Sequence, residues 1–235
     1  MDALIEFAKG PLFRLTFAIM LLGLLRLIVL SIINGIEAKG KAQDKVIPKS
    51  YVRKLTWGFL IPIRSFRVKP LYSIVSILFH IGLLITPILL YDHNLLFNNS
   101  IGFSLIGISI PKEIADFLTI LTIITGLLLL IMRASSSTAR FLSRKQEYLW
   151  LLLLVIPFFT GMIISQTSVS PDTYKFFFLL HLLSGCLIFV LMPFTKIAHC
   201  VLMPIGQWIT ARSWKFTQEG GEFVTISLGK EGEKV

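Results

Sequence analysis

Long apolar stretches alternate with shorter polar segments along the chain, at residues 12–35, 71–91, 114–132, 148–165 and 175–195. An α-helix of about 20 residues crosses the hydrocarbon core of a bilayer, which is about 30 Å thick. The fourth stretch is the shortest and contains Pro157, whereas the fifth continues as a helical pattern toward Leu202. The pattern predicts an all-α integral membrane bundle of five transmembrane helices.

The two ends of the chain have different patterns. The first stretch is too long for a removable signal peptide and lacks a small-residue cleavage site, so we expect a retained helix that begins after Gly10-Pro11. Residues 1–205 form one predicted membrane domain, and residues 206–235 form a cytoplasmic tail. Within the tail, residues 216–228 have the pattern of a small β-hairpin.

The net charge of +10 is concentrated on alternate loops. Residues 37–70 carry nine Lys or Arg against two acids, and the connection at 133–145 and the tail add four cations each. The opposite loops, 92–113 and 166–174, carry one lysine and three acids. Positive loops stay in the cytoplasm, which predicts an outside N-terminus and a cytoplasmic C-terminus. The same placement argues for a lipid membrane and against nucleic acid as the partner of these charges.

The four histidines of the chain lie in or at the edge of the second and fifth stretches: His80, His93, His181 and His199. Histidine inside a bilayer is costly and usually functional. Two helices with two imidazoles each can hold two b-type haems, each between one ligand from each helix. The alternative for any single histidine is a hydrogen-bonded structural role. The two cysteines form no Cys-x-x-Cys-His motif and are too few for an iron–sulfur cluster.

The spacing in the fifth stretch favours two stacked ligands. His181 and His199 are 18 residues apart, which is five helical turns, so an ideal helix places them on one face about 27 Å apart. Pro193 lies between them and can kink the helix, which makes this phase nominal. The stretch therefore offers one imidazole toward each side of the bilayer.

The spacing in the second stretch requires a break. His80 and His93 are 13 residues apart, about 220° around an ideal helix and about 20 Å along it. Pro87 can bend or end the helix between them, which places His93 on the first residues of the outer loop. By depth, His80 pairs with His199 on the inner side and His93 with His181 on the outer side. The second nitrogen of each ring then needs a partner that fixes its orientation.

Two motifs carry a resemblance to a known family. Leu78-Phe79-His80-Ile81-Gly82, together with Met192-Pro193-Phe194-Thr195-Lys196-Ile197-Ala198-His199 after His181, resembles the gamma (cytochrome b) subunit of respiratory nitrate reductase. That superfamily includes the membrane cytochromes of heterodisulfide reductase and of the sulfite-reduction-associated complex. The resemblance covers about residues 12–205.

One position departs from the nitrate reductase pattern. That subunit has its other helix-2 histidine ten residues after the first, where this chain has Leu90. His93, which comes after Thr86-Pro87, is more similar to the heterodisulfide- and sulfite-associated branch. The resemblance therefore favours a sulfur-type or related complex over nitrate reduction.

The resemblance implies a fold, cofactors and partners. It implies five helices in a prokaryotic cytoplasmic membrane, two b haems, a quinone site near the outer haem and an iron–sulfur subunit on the cytoplasmic face. His80 and His199 become the inner ligands and His181 an outer one. The expected function is a quinol/quinone oxidoreductase subunit, acting only within a larger respiratory complex, that exchanges electrons between menaquinone and the iron–sulfur partner.

The remaining candidate site residues are charged residues, most of them near the ends of the spans. Asp92, Lys112 and Asp116 are candidate proton groups on the quinone side, and ordinary interfacial charge is the alternative for each. Arg26 and Arg133 are candidates for haem-propionate binding, although Arg133 also fits a positive flank on the inner side. The basic inner loop and tail are expected to dock the partner subunit, with attraction to lipid headgroups as the alternative.

A second class of function is a histidine-relay transporter or proton channel. Such a protein needs acids along its pathway inside the helices, and the second to fifth stretches contain almost none between their ends. A third interpretation, a structural membrane anchor, gives no reason for depth-matched histidines.

Overall fold

The computed structural model describes residues 1–41, 63–103, 105–166, 168–213 and 220–231, and these residues form helices and connections without a β-strand. Five of the helices are long and apolar enough to cross a membrane: Asp2–Glu37, Pro70–Leu89, Lys112–Ser135, Lys145–Ile164 and Pro171–Phe194. The predictions of an all-α class and of five spans are confirmed. The protein is a multi-pass membrane protein by the length and composition of these helices.

The described α-helices in chain order are α1 (Asp2–Phe7), α2 (Phe13–Lys41), α3 (Ile63–Val68), α4 (Pro70–Leu89), α5 (Tyr91–Ile101), α6 (Lys112–Ser135), α7 (Ser137–Leu142), α8 (Lys145–Ile164), α9 (Pro171–Leu191), α10 (His199–Ser213) and α11 (Gly220–Ser227). A π-helical segment joins α1 to α2, and 3₁₀ turns lie at Ile106–Ile108, Met192–Phe194 and Lys196–Ala198. The chain divides into two compact units, residues 1–20 with 65–192, and residues 21–64 with 193–235.

The first unit is a row of packed spans. In it α4 packs against α6, α6 against α8, and α8 against α9. The core between α4, α6 and α8 is built from Val75, Phe79, Leu129 and Val155. The outward faces carry exposed Leu, Ile and Phe, which is the surface expected of helices that meet lipid.

Buried hydroxyls of α6 are satisfied within the helix. Thr119, Thr122 and Thr125 donate to the carbonyls four residues earlier at 2.8, 2.7 and 2.6 Å. A hydrocarbon environment offers no water to a polar group, so such groups need partners inside the protein. These threonines can therefore face the core without an unpaired hydroxyl.

The first span begins earlier than the sequence predicts. Gly10-Pro11 is expected to precede the helix, but both residues lie inside the π-helical segment Ala8–Leu12, between α1 and α2. A π turn adds one residue to the helix and displaces the regular hydrogen-bond ladder, so a proline without an N–H is tolerated there. The helical run therefore starts at Asp2.

The expectation that the fifth stretch continues as one helix toward Leu202 is wrong. Helix α9 ends at Leu191, and two 3₁₀ turns precede α10, which begins at His199. Pro193 lies in the first turn, and Thr195 is extended (φ −128°, ψ 178°) with its hydroxyl accepting from the N–H of Ile197 at 3.3 Å. The same-face relation and the distance of about 27 Å between His181 and His199 assume an unbroken helix, so the spacing no longer supports either of them.

The predicted hairpin in the tail is also wrong within the described residues, because residues 220–227 form α11. Glu222 lies in the first turn of this helix, where a carboxylate is favourable. Residues 216–219 lie outside the described residues, as do most of the predicted basic inner loop 37–70 and the cations Lys215 and Lys234. The predicted boundary at residue 205 falls within α10, and the division into domains stays a prediction.

Candidate functional site

A one-residue break at Leu90, the elbow, separates α4 from α5, and His93 lies in the first turn of α5. Pro87 lies in the last turn of α4, and Leu90 is extended (φ −65°, ψ 131°) before α5 begins. The N–H of Leu90 still bonds to the Thr86 carbonyl at 3.1 Å, so the chain turns without losing that last helical bond. The predicted break between His80 and His93 is confirmed, but the placement of His93 on an outer loop is wrong, because His93 lies in helix α5.

The elbow places His93 beside His181. The centres of the two imidazole rings are 5.8 Å apart, and the ring planes are nearly parallel at 24°. Metal–imidazole bonds are about 2 Å long, so two imidazoles on opposite sides of one metal have ring centres about 6 Å apart. The separation in this chain fits a pair of axial ligands to one haem iron.

All four histidines use the same ring nitrogen to contact the backbone. The Nδ1 atoms of His80, His93, His181 and His199 lie 2.7, 3.1, 2.9 and 2.7 Å from the carbonyl oxygens of Ser76, Pro87, Pro157 and Lys196, respectively. A carbonyl only accepts, so Nδ1 carries the proton and Nε2 carries the lone pair in the neutral ring. This is the second-nitrogen partner predicted from the sequence, and it orients a ring for metal binding through Nε2.

Burial keeps His93 in the form that binds a metal. Loss of solvation lowers the pKa of His93 below its usual value, although its bond to the Pro87 carbonyl opposes this shift. The imidazole is therefore neutral at physiological pH, which is the form that can ligate.

Two glycines shape the space around His181. A Cβ on Gly161 of α8 would lie 3.2 Å from Cε1 and 3.4 Å from Nδ1 of His181, so the glycine lets α8 approach the ring. A Cβ on Gly185, one turn after His181 on α9, would meet no heavy atom within 4 Å. No described heavy atom therefore crowds α9 at Gly185, one turn from His181.

Apolar side chains cluster on the helices that carry the histidine pair, within the first unit. Phe13 and Phe17 of α2 contact Phe97 of α5 and Phe189 of α9, with ring centres 5.3 to 5.9 Å apart. Leu182, the neighbour of His181, is buried against Ile5 and Ala8. These contacts give α5 and α9 an apolar neighbourhood, which suits a hydrophobic macrocycle.

The predicted inner ligands belong to different units. His80 is half-buried on α4, and the ring of Phe79 meets it edge-on at 5.7 Å between centres. His199 is exposed and opens α10 in the second unit. The pairing of His80 with His199 stays a prediction.

The two candidate arginines have different surroundings. Arg133 Nη1 lies 3.3 Å from a carboxylate oxygen of Glu147, and only 25% and 18% of these two side chains are exposed. Arg133 therefore has a protein partner at the end of α6. Arg26 is exposed on α2 in the second unit, so protein atoms do not cover it there. Propionate binding stays a prediction for both.

The candidate proton groups lie at helix starts. Lys112 Nζ is 3.5 Å from a carboxylate oxygen of Asp116 and donates to the Ser165 carbonyl at 3.2 Å. Asp92 is exposed in the first turn of α5, next to His93. The structure thus brings Lys112 and Asp116 together. Asp92 directly precedes His93 in the sequence.

Sequence reasoning missed two residues that support the pair. Asn94 is buried beside His93 and makes three hydrogen bonds. Thr160 is 1% exposed, and its hydroxyl lies 3.3 Å from His181 Nδ1. Adjacency to His93 was the one signal for Asn94 in the sequence, and Thr160 had none because its partner is 21 residues away.

Comparison with known proteins adds one relative. A protein of Nitratidesulfovibrio vulgaris (strain Hildenborough) is 32% identical over 148 residues, which are 63% of this chain and 63% of the relative. The chain thus spans less than two thirds of that relative, whose name states no activity. No family model and no solved structure matches the chain.

Among the described residues, no three His, Cys, Asp or Glu side chains group as a metal site. A haem takes only two axial ligands from the protein, so a pair of imidazoles suffices for it.

Proposed function

We propose that this chain is the di-haem b membrane subunit of a prokaryotic respiratory complex, and that it exchanges electrons between the quinone pool and a cytoplasmic iron–sulfur subunit. The observation that carries the proposal is the pair of His93 and His181, with ring centres 5.8 Å apart and both Nδ1 atoms committed to backbone carbonyls. An ordinary structural histidine needs no second imidazole at that distance.

The residues of the chain have distinct parts in this proposal. His93 and His181 would hold the outer haem through Nε2, and His80 and His199 stay the ligands that the sequence predicts for the inner one. Haem iron, when bound, supplies one-electron redox chemistry. The apolar side chains of α5 and α9 would help to exclude water, and the carbonyls of Pro87 and Pro157 fix the direction of the two rings.

The orientation in the membrane is inferred from charge. Residues 133–145 carry four cations, and residues 37–70 carry nine, so both segments belong on the cytoplasmic side. Menaquinone then exchanges electrons on the outer side, near His93, and the iron–sulfur subunit docks on the inner side. The resemblance noted in the sequence favours a partner complex of the sulfur type.

A histidine relay is the weaker alternative. The acids of the four spans after α2 lie at helix starts: Glu113, Asp116, Glu147 and Asp172. Glu147 is engaged by Arg133. Among the described residues, no observation favours a proton path through these spans.

The proposal predicts haem in the purified chain. Expressed in a haem-sufficient host and purified in mild detergent, the protein should give a dithionite-reduced b-type spectrum and about two non-covalent haems per chain. Pyridine haemochrome absorbance divided by protein concentration measures the ratio. A helical, monodisperse preparation free of haem contradicts the proposal.

The carboxylates of Asp92 and Asp116 are predicted to transfer protons on the quinone side. Neutralising Asp92 and Asp116 together to asparagine should slow quinol-driven haem reduction about tenfold or more, because positioned acid–base groups contribute at least that much to proton transfer. Stopped-flow absorbance with a menaquinol analogue measures the rate, and haem content should not change.

The matched control for this prediction is Asp172→Asn, which removes an acid from the first turn of α9 without touching the proposed proton groups. It should leave the rate unchanged. An Asp92→Asn/Asp116→Asn protein that reduces its haem at the wild-type rate shows that these carboxylates are ordinary interfacial charges.

A further inference from the structure

Asn94 is an unusual side chain for its position, since an amide is 2% exposed in a protein that meets lipid. Burying an amide is unfavourable unless its hydrogen bonds are made. The Nδ2 group of Asn94 donates to the carbonyls of Ile88 at 3.0 Å and Leu90 at 3.2 Å, and Oδ1 accepts from the N–H of Leu105 at 2.8 Å. The amide thus joins the end of α4, the start of α5 and the loop after α5.

Asn94 and His93 act on neighbouring carbonyls. His93 Nδ1 donates to Pro87, and Asn94 Nδ2 donates to Ile88, each reaching six residues back along the chain. The last carbonyls of a helix have no partner within that helix. Two consecutive side chains of α5 therefore cap two consecutive carbonyls of α4, and this double contact sets the angle of the elbow.

The hydrogen bonds of His93 and of Asn94 fix different parts of the structure around the imidazole. The bond from His93 fixes the tautomer and the rotation of its own ring. It does not hold α5, because a single hydrogen bond to a side chain leaves the backbone free to tilt. Asn94 holds that backbone from both sides, toward Ile88 and toward Leu105. At the other end of α5, the hydroxyl of Ser100 donates to the Lys9 carbonyl at 3.2 Å.

We propose that Asn94 is a positioning residue that aims the His93 imidazole at His181 and so sets the angle between the two imidazole rings that would hold the outer haem. This inference rests on the proposed function. The elbow then does more than connect two helices. A tilt of α5 would change the orientation of the His93 ring at the outer haem and leave the inner haem unaffected. Asn94 acts through His93 and does not touch the cofactor.

The test compares Asn94→Leu with Thr125→Val in the haem-loaded chain. Leucine keeps the branched shape of asparagine and removes all three hydrogen bonds. Thr125 is 3% exposed and bonds only within its own helix α6, so valine removes a buried hydrogen bond away from the elbow. Low-temperature EPR of the oxidised protein reads the signal of each low-spin haem, which depends on the angle between its imidazole planes.

The expected result is selective. In Asn94→Leu, one low-spin signal and one of the two midpoint potentials should shift, while the second signal and potential stay at the wild-type values. Thr125→Val should keep both signals. Asn94→Ser, which cannot span from Ile88 to Leu105, should give the same selective shift and serves if the leucine variant does not fold.

Three outcomes overturn the inference. Wild-type signals for both haems in Asn94→Leu or Asn94→Ser show that Asn94 does not aim His93, while the proposed function stands. Equal disturbance of both haems, shared by Thr125→Val, shows a general effect on stability. Wild-type protein without any low-spin haem signal removes the proposed function and this inference together.

Discussion

A chain with His181 replaced by alanine is expected to bind one haem fewer than the wild type, about one per chain in place of two. His181 Nε2 is half of the proposed outer ligand pair, and its ring lies 5.8 Å from that of His93. A haem left with a single imidazole ligand is bound too weakly to survive purification. Pyridine haemochrome analysis and the reduced-minus-oxidised spectrum measure the loss.

Double variants make this prediction sharper because they test which histidines share an iron. His93 and His181 serve the same iron, so His93→Ala/His181→Ala should retain as much haem as either single variant. His80→Ala/His181→Ala should lose both haems, since each substitution damages a different site. Haem-free protein from the first double variant contradicts the outer pair, and one remaining haem in the second contradicts the depth assignment.

The spans were predictable because their signal is long and redundant. A helix that crosses lipid must satisfy every backbone group internally and present apolar side chains over about 20 residues. Local interruptions do not change that signal. Gly10-Pro11 is typical of a helix start, yet a single π turn absorbs the proline and the helix continues.

The breaks were harder to place because proline alone does not decide them. Pro157 lies inside α8, which continues to Ile164, whereas the region of Pro193 ends α9. The difference lies in the residues that come after each proline. Two positions beyond Pro193, Thr195 adopts an extended backbone and caps a new turn through its hydroxyl, which a hydropathy pattern does not contain.

The proposed outer ligand pair came from residue type, number and depth, which are properties of the sequence. The residues that support this pair could not be predicted from those properties. One acts through a contact between distant segments, and the other is a single amide. Thr160 contacts His181 from another helix. The role of Asn94 can be inferred only because α4 ends at Leu89. The predicted phase between His181 and His199 assumed a continuous helix, and the end of α9 at Leu191 removes that assumption.

The largest structural effect is expected at Gly82, two residues after His80 on α4. A Cβ at this position would collide with Thr122 Oγ1 and lie 2.8 Å from the Leu118 carbonyl oxygen, both on α6. Small residues let membrane helices approach closely. Gly82→Ala should destabilise the α4–α6 contact by about 2 kcal/mol or more, because overpacking against backbone cannot be relieved by side-chain rotation.

Thermal unfolding in detergent, followed by circular dichroism, measures this loss of stability. The matched control is Gly185→Ala, where a Cβ within α9 meets no atom within 4 Å, so its unfolding temperature should match that of the wild type when both are compared without haem. In Gly82→Ala/Thr122→Ala the hydroxyl is gone but the Leu118 carbonyl remains, so the rescue should be partial. Full rescue would mean that the hydroxyl alone sets the distance between α4 and α6, and an unaffected Gly82→Ala would mean that the two helices are not packed this closely.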